Sequence, residues 1–445
     1  MNWRIALAMI LLLVWICDAK AESVHIVGPK EPIPLTYFGL HAHRLVHPGR
    51  NGIRSAWPNI PFGSLRTWDA EDVKWGDIEP TKGKFYFYLL DALVNLSERH
   101  GVEVLYTLGS TPQWASVRPE EGCGYGKGCA AEPRDMGDWG NYIRRVVERY
   151  KGRIHYYEMW NEPSFSEIDG PPSPAGGGYF SGSLKTFLTM TEIAHRVIHE
   201  IDPNARLLGP AAVGDAPRRF GYFLQNGGGK YIDIASFHFY SRTPEGMLTK
   251  IRSNRDALDK MGLKKMALWD TEDGYDLLKR GQQGQGTSDP EEHAGYVART
   301  LILGAVAGLD RLFWYSWEIN LAVGNGEGQI ANNSGHAYAQ TVRWLVGARI
   351  KECHTDNGQL WTCELIRNKR RAWLVWLTES HRKWLPPRDW MILEVQQLDG
   401  SVASLAEGVA IGPAPVLLKS DNEPWEPSMS AASGMKTFSM SQEGR

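Results

Sequence analysis

Two glutamates in matching sequence settings are the residues of this chain best suited to acid, base and nucleophilic chemistry. Glu162 lies in the segment 158–163 (EMWNEP), after the mostly apolar run Ile154 to Tyr157. Glu272 follows a second apolar run at 266–269 (MALW). Both therefore lie where a predicted strand ends and side chains can face a ligand. Two carboxylates in such positions predict glycoside hydrolysis, because one acid must protonate the leaving oxygen while the other attacks or stabilises the anomeric carbon.

The alternative for the first motif is a helix start, with Asn161 as the cap and Pro163 in the first turn. Either motif alone is weak evidence for a catalytic site. The occurrence of both motifs at strand ends, in a chain with 18 tryptophans, favours a sugar-cleaving site. Tryptophan rings suit the flat faces of sugars, although many also pack inside proteins.

The length and charge of the chain agree with a single large enzyme. Its 445 residues fit one α/β barrel with a small companion domain. The net charge of -2 indicates no polyanionic partner, so we expect no nucleic acid binding. The expected partner is an oligosaccharide or polysaccharide, and we expect no cofactor.

The N-terminus is typical of an export signal at residues 1–21. Arg4 provides the positive charge, residues 5–17 form an apolar run, and 19–21 (AKA) offers small residues for cleavage. The run is short for a membrane-spanning helix. An uncleaved anchor that associates with the inner membrane remains the alternative. We therefore expect an exported, periplasmic protein.

Export leaves four cysteines in a compartment that permits disulfides. Three pairings exist, and the sequence favours the local one, Cys123 with Cys129 and Cys353 with Cys363, because each pair brackets a turn-like stretch. Zinc is disfavoured, since the spacings do not form paired C-x-x-C motifs.

Alternating strand-like and helix-like segments predict a (β/α)8 TIM barrel over residues 30–340. The predicted helices include Leu184 to Ile201 and a segment ending at Tyr150, both with apolar residues at helical spacing. The predicted strands are Leu35 to Leu40, Gly63 to Thr67, Glu103 to Leu108, Ile154 to Met159, Arg206 to Gly209, Ile232 to Phe237, Lys265 to Trp269 and Arg311 to Tyr315.

After the barrel, alternating runs predict a small antiparallel β domain, sandwich-like, at residues 341–418. Asp356-Asn357-Gly358 between the last two cysteines is a hairpin signal. Strands from the chain before the barrel could join this domain. We expect the domain to brace the barrel, with a sugar-binding module as the alternative. Residues 420–445 are predicted to be a disordered tail.

The motif Trp160-Asn161-Glu162-Pro163, with the later Thr271-Glu272, resembles clan A glycoside hydrolases. The whole chain most resembles family 39 and its Psl-type relatives from exopolysaccharide biosynthesis clusters. This resemblance implies retention of configuration, with Glu162 as acid/base and Glu272 as nucleophile. Barrel geometry alone leaves the stereochemistry open, because an eight-stranded barrel about 15 Å across puts the two carboxyls roughly 6 to 7 Å apart.

Further strand ends supply candidate substrate contacts. Arg66 is the best cation for keeping the nucleophile ionised, with a salt bridge to Asp69 or Glu71 as the alternative. Asn161 could bind the sugar's 2-hydroxyl. The clan resemblance suggests that His238 and Tyr240 contact the substrate or the nucleophile, with a role as buried hydrogen-bonded partners as the alternative. The remaining candidates for sugar contacts are Trp317, Trp114, Trp68 and His41.

His41 and His43 lie two residues apart after the first strand, but no matching carboxylate or cysteine spacing accompanies them, so we expect no metal. Asp270 and Asp273 flank Glu272, where relatives often place an aromatic residue. Negative charge there would raise the pKa of a neighbouring carboxyl if it pointed inward.

The sequence thus predicts an exported retaining endo-β-glycosidase that acts on a microbial exopolysaccharide. Two alternatives remain. One is an exo-acting enzyme of the xylosidase or iduronidase kind. The other is a catalytically weak sugar-binding or assembly protein of a polysaccharide biosynthesis system.

Overall fold

The computed structural model describes residues 23–425 apart from 49–51, 70–71, 171–178, 215, 276–288, 404 and 406–407, and it also describes residue 427. The predicted export signal at 1–21 and most of the predicted tail at 420–445 lie outside the described residues. Within the described part of the chain, no helix is long and apolar enough to cross a membrane.

Eight parallel strands close into a barrel, as the sequence predicts. β1 (Val24–Val27) precedes the barrel, whose strands are β2 (Phe38–His41), β3 (Ser64–Arg66), β4 (Glu103–Leu108), β5 (Tyr156–Met159), β6 (Arg206–Ala212), β7 (Ile234–Phe237), β8 (Ala267–Asp273) and β9 (Arg311–Trp314). Closure comes from the pairing of β2 with β9, with Gly39 beside Phe313. Leu105, Leu208, Ile234, Trp269 and Phe313 cluster inside the barrel. The barrel interior is therefore a packed core, and a site must lie at its mouth.

Helices surround the barrel and bury their apolar stripes against it. They are α1 (Trp75–Ile78), α2 (Tyr88–Arg99), α3 (Met136–Tyr150), α4 (Ser166–Asp169), α5 (Leu184–Ile201), α6 (Ala216–Gln225), α7 (Pro244–Lys260), α8 (Pro290–Val306) and α9 (Asn333–Leu345). α5 has the predicted bounds, and the Ser183 side chain caps it by accepting from the Thr186 N–H. Asp135 caps α3 in the same way. The helical spacing of apolar residues thus located both helices correctly.

The rest of the chain forms antiparallel sheets. The strands are β10 (Ala322–Val323), β11 (Ile330–Ala331), β12 (Arg349–Thr355), β13 (Leu360–Arg367), β14 (Arg370–Leu377), β15 (Arg382–Trp384), β16 (Glu394–Gln396), β17 (Val402–Ala403), β18 (Val409–Ile411) and β19 (Val416–Lys419). Seven of the described strands form one sheet in the order β1-β12-β13-β14-β19-β16-β17, while β10 pairs with β11 and β15 pairs with β18.

One face of the seven-stranded sheet packs on the barrel. Leu374 and Trp376 of β14 belong to the same buried core as the barrel helices. The Trp376 indole donates to Glu245 of α7 at 3.1 Å. Their neighbours Trp373 and Val375 face the other way, into a separate small core. This alternation shows how the sheet braces the barrel.

The structure bears on two expectations about this region. The predicted boundary at residue 340 falls inside α9, so the β domain proper begins at Arg349. In addition, β1 pairs with β12, which places a strand from before the barrel in the second sheet, as the sequence allowed.

Both local disulfides are confirmed. Cys123 pairs with Cys129, and Cys353 pairs with Cys363 across the β12–β13 hairpin, where the two residues lie opposite each other. The predicted hairpin turn separates these strands, with Gly358 at a φ of 71°.

Candidate active site

The chain turns sharply after β5 and presents the first glutamate to the barrel mouth. Trp160 and Glu162 have φ angles of 65° and 43°. This left-handed backbone is uncommon for residues other than glycine and clusters at functional sites. The Glu162 N–H donates to the Ala211 carbonyl at 3.2 Å, which ties the turn to the end of β6. The Glu162 side chain is 19% exposed, so a substrate can reach it.

A β-bulge at the end of β8 positions the second glutamate. Trp269 and Asp270 pair in register with Arg311 and Leu312 of β9, but the next paired residue on β8 is Asp273. Strand residues normally alternate between the interior and the helix side, so Glu272 would lie on the face opposite to Trp269 without the bulge. The bulge re-aims the side chain, a common use of bulges beside active sites.

Arg66 at the end of β3 connects the two glutamate segments. Its Nη1 donates to Glu272 Oε2 at 2.9 Å, and its Nη2 donates to Asn161 Oδ1 at 2.7 Å. Its Nε donates to Glu158 Oε2 at 2.6 Å. The guanidinium is fully buried, and it therefore acts by holding these groups in place. The sequence indicated Glu272 as the partner of Arg66, with Asp69 or Glu71 as the alternative, but it did not indicate the ion pair with Glu158.

Asn161 is held by this contact with Arg66. The helix-cap alternative for Asn161 is wrong, because the next helix, α4, begins at Ser166.

Two residues from the end of β7 complete the contacts of the glutamates. The Tyr240 hydroxyl donates to Glu272 Oε1 at 2.8 Å. His238 Nδ1 lies 2.8 Å from Glu162 Oε1 and 3.9 Å from Glu272 Oε2. One carboxylate oxygen of Glu162, one ring nitrogen of His238 and one carboxylate oxygen of Glu272 all lie within 4.8 Å of one another. The glutamate oxygens therefore approach more closely than the roughly 6 to 7 Å estimated from barrel dimensions.

The electrostatics of the site centre on Glu272. Burial raises the pKa of Glu272 from 4.5 to about 7, and the nearby Glu162 and Asp69 act in the same direction, while His238 and Arg66 oppose the rise. Arg66 also forms an ion pair with Glu158, so its single positive charge is shared between two buried carboxylates.

Asp270 and Asp273, which flank Glu272, are both buried. Burial raises the pKa of Asp273 to about 7, and burial together with Asp273 raises that of Asp270. Asp273 accepts from the Gly274 N–H at 2.7 Å, and Asp270 accepts from the Phe239 N–H at 3.3 Å. These carboxyls therefore help to fix the backbone around the bulge.

Of the three tryptophans predicted to contact the sugar, two are buried. Trp317 has no exposed surface, and its indole donates to Gln329 at 3.0 Å. Trp68 is 1% exposed and packs edge-on against Tyr125 and Tyr179. Neither ring can stack on a sugar in this conformation. Trp114 is partly exposed, with its indole bonded to the Glu79 carbonyl.

Three other tyrosines lie in this region, and the sequence did not indicate them as candidate sugar contacts. Tyr125 and Tyr179 stack with ring centroids 5.8 Å apart. Burial raises the pKa of Tyr179 to about 12, and the charges of Glu162, Asp69 and Glu272 add to this effect. Tyr315 also lies within the electrostatic reach of Asp69 and Glu272. All three rings are partly exposed, as a sugar-contacting surface requires. Tyr125 and Tyr179 come from loops that no local motif marks, whereas Tyr315 directly follows β9.

His41 is buried, and its Nε2 is hydrogen-bonded to the Thr271 carbonyl at 2.9 Å. His41 therefore cannot contact a sugar directly in this conformation, and that prediction is wrong. Ligand-type atoms of His41, His43 and Asp69 lie within 4.8 Å of one another, so a carboxylate does accompany the two histidines. The Asp69 carboxylate already accepts from the Tyr125 hydroxyl. His43 and Asp69 are partly exposed, and the charge of Asp69 contributes to the raised pKa of Glu272.

Comparison with known proteins shows that this chain is similar to sugar-cleaving enzymes. Residues 49–267 match the model of glycosyl hydrolases family 39. Endo-1,4-beta-xylanase C of Paenibacillus barcinonensis is 26% identical over 170 residues. That alignment covers 34% of this chain, and the chain spans only 15% of the length of the xylanase.

Solved structures share the fold. A family 39 glycoside hydrolase from Bacteroides cellulosilyticus WH2 superposes with a TM-score of 0.64 at 20% identity, covering 87% of this chain and 81% of that one. A family 39 beta-xylosidase from Caulobacter crescentus gives a TM-score of 0.57 at 15% identity, covering 88% and 98%. The family-model match agrees with the predicted resemblance to family 39, and the solved structures show that this chain shares their fold.

Proposed function

We propose that this chain, a relative of the family 39 glycoside hydrolases, hydrolyses β-glycosidic bonds with retention of configuration. The observation that carries the proposal is the approach of Glu162 and Glu272 oxygens to within 4.8 Å. Retaining enzymes hold their two carboxyl groups about 5 to 5.5 Å apart, whereas inverting enzymes need about 6.5 to 9.5 Å to admit a water. A spacing this short favours direct attack by one of the carboxylates.

The contacts of the two side chains support different roles. Glu272 accepts from both Arg66 and Tyr240, and such donors stabilise an ionised carboxylate. In the first step Glu272 attacks the anomeric carbon, the bond to the leaving oxygen breaks, and Glu162 donates a proton to that oxygen. In the second step Glu162 takes a proton from water, which attacks the same carbon and releases Glu272.

A trapping experiment tests these roles. Glu162→Gln cannot donate a proton, but an aryl glycoside with a good leaving group needs little protonation, so its first step should proceed. The second step then lacks its base, and a glycosyl ester should accumulate on the peptide that contains Glu272. Intact-protein and peptide mass spectrometry measure this adduct. Turnover of the natural polymer should fall by roughly 100-fold or more.

Glu272→Gln is the matched control, because it keeps the shape of the side chain and should form no adduct with either substrate. An adduct on another residue, or equal loss of activity by Glu162→Gln on activated and natural substrates, would contradict the assignment.

We further propose that the substrate is a microbial exopolysaccharide, cut inside the chain, and that the enzyme is exported to the periplasm. The resemblance to enzymes from exopolysaccharide clusters and the apolar N-terminal segment 5–17 support this proposal. The partly exposed Tyr125, Tyr179 and Tyr315 would supply the stacking surface. An exo-acting β-xylosidase-like activity is the second candidate, because the Caulobacter crescentus neighbour bears that name.

A further inference from the structure

A cluster of two histidines and an aspartate lies on the barrel face opposite the glutamates. His195 and His199 are four residues apart on α5, so they occupy the same side of the helix. Asp233 lies immediately before β7, at the N-terminal end of that strand. The ring centroids of His195 and His199 are 4.2 Å apart. One ring nitrogen from each histidine and one carboxylate oxygen of Asp233 all lie within 4.8 Å of one another.

The hydrogen bonding of His199 fixes which of its ring nitrogens is available. His199 Nδ1 lies 2.8 Å from the His195 carbonyl oxygen, which can only accept, so Nδ1 carries the hydrogen. In the neutral ring, Nε2 then holds a lone pair. This Nε2 lies 3.3 Å from Asp233 Oδ2, which is itself an acceptor. Two acceptors facing each other need a proton or a metal cation between them.

Asp233 is also oriented by the protein. Its Oδ2 accepts from the Leu207 N–H at 2.8 Å, which fixes the carboxylate against the start of β6. Metal-binding histidines usually donate their other ring N–H to a backbone carbonyl or carboxylate, as His199 does here. The orienting contacts of a metal site are therefore already present around both residues.

We propose that His195, His199 and Asp233 bind a divalent transition-metal ion, with Zn²⁺ as the best-fitting ion. Two imidazoles and one carboxylate form a common zinc ligand set, with water at the fourth position. Because the three atoms lie within 4.8 Å of one another, a point exists about 2.8 Å from all of them. Side-chain shifts below about 1 Å would reach the 2.0 to 2.2 Å of zinc bonds.

The site is accessible and lies away from the chemistry. All three residues are partly exposed, and His199 and Asp233 border an open depression of about 710 Å³. An ion can therefore enter from solvent. A bound ion would link the last turns of α5 to the loop before β7, at the barrel face that serves stability rather than catalysis.

Zinc titration of the full chain, stripped of metal by chelation, tests the proposal. Isothermal titration calorimetry at pH 7.5 should show one equivalent of Zn²⁺ that is lost, or weakened on the order of 100-fold or more, in His195→Gln and in His199→Gln. The control is His25→Gln, which removes an exposed histidine paired with a single carboxylate, Glu352. It should bind as the parent does.

Two outcomes would overturn the proposal: no zinc binding by the parent, or an equivalent that survives both glutamine substitutions. X-ray absorption of the zinc-loaded parent provides a measurement that needs no variant. It should show two imidazole ligands at about 2.0 to 2.1 Å with oxygen neighbours. A different count of imidazoles would place the ion elsewhere.

Discussion

Replacing the buried Glu272 with glutamine should remove a loss of stability that the parent suffers as the pH rises, while abolishing activity. The pKa of this carboxyl is raised to about 7 in the folded protein, from an ordinary value of 4.5. The folded state therefore binds a proton more tightly than the unfolded state. The contribution of Glu272 to the free energy of unfolding is therefore fully present below pH 4.5. It declines as the pH rises, and the whole contribution is lost above pH 7.

The size of the effect follows from the same two values. Between pH 5 and pH 8 the ionisation of Glu272 should remove about 2.5 kcal/mol from the free energy of unfolding. Glu272→Gln does not titrate, so its stability relative to the parent should rise by that amount over this interval. For a fold of roughly 400 residues this corresponds to a relative gain of about 3 °C in melting temperature. Any pH-independent cost of weaker contacts with Arg66 and Tyr240 cancels in the comparison.

Differential scanning calorimetry of parent and variant at the two pH values measures this change. Glu148→Gln, on the exposed side of α3, is the control and should give the same difference from the parent at both pH values, because its side chain is 47% exposed. If Glu272→Gln also shows no relative gain at pH 8, burial does not penalise the ionised Glu272 and the reasoning is refuted.

Two further predictions concern activity. On an activated aryl glycoside, kcat/KM should fall tenfold per pH unit below about pH 7, because Glu272 must be ionised to attack. Tyr240→Phe should shift this acidic limb of the pH profile to higher pH, since the substitution removes a hydrogen-bond donor to the carboxylate. An unshifted limb would assign the titration to another group. On the exopolysaccharide, sizing of early products should give a ladder of oligosaccharides, whereas release of single sugars alone would favour the exo-acting alternative.

The barrel was predictable from the sequence because its signals are local. Each strand is a short apolar run, and each well-predicted helix carries a capping residue and an apolar stripe, as Ser183 and α5 illustrate. The errors lie at boundaries. Leu35–Tyr37 form a short 3₁₀ turn instead of the start of β2, and β8 continues to Asp273 because the bulge extends its pairing.

The residues of the candidate site that the sequence indicated lie at or just after the ends of barrel strands. Glu162, Glu272, Arg66 and His238 follow or end barrel strands, and closure of the barrel brings them together. Tyr179 comes from a long loop, and the effect of Glu162 and Glu272 on its pKa depends on tertiary packing. The number of tryptophans in the sequence could not predict which rings line a cleft and which rings pack in the core.

The sharing of Arg66 explains why the proposed nucleophile sits in such a costly environment. Glu158 has the shorter contact with Arg66, at 2.6 Å, and Glu272 has the longer one, at 2.9 Å. Glu272 therefore ionises in a buried site with incomplete compensation, which is consistent with its raised pKa.

In a double displacement, the charge of the nucleophile disappears as its oxygen forms an ester with the sugar. Each unit by which the pKa is raised corresponds to about 1.4 kcal/mol that disfavours the charged form relative to a neutral one. Burial therefore favours the step that consumes the charge. His238 and Arg66 lower the pKa of Glu272 against this effect of burial, and Arg66 and Tyr240 remain in place to donate to the carboxylate when water releases the sugar.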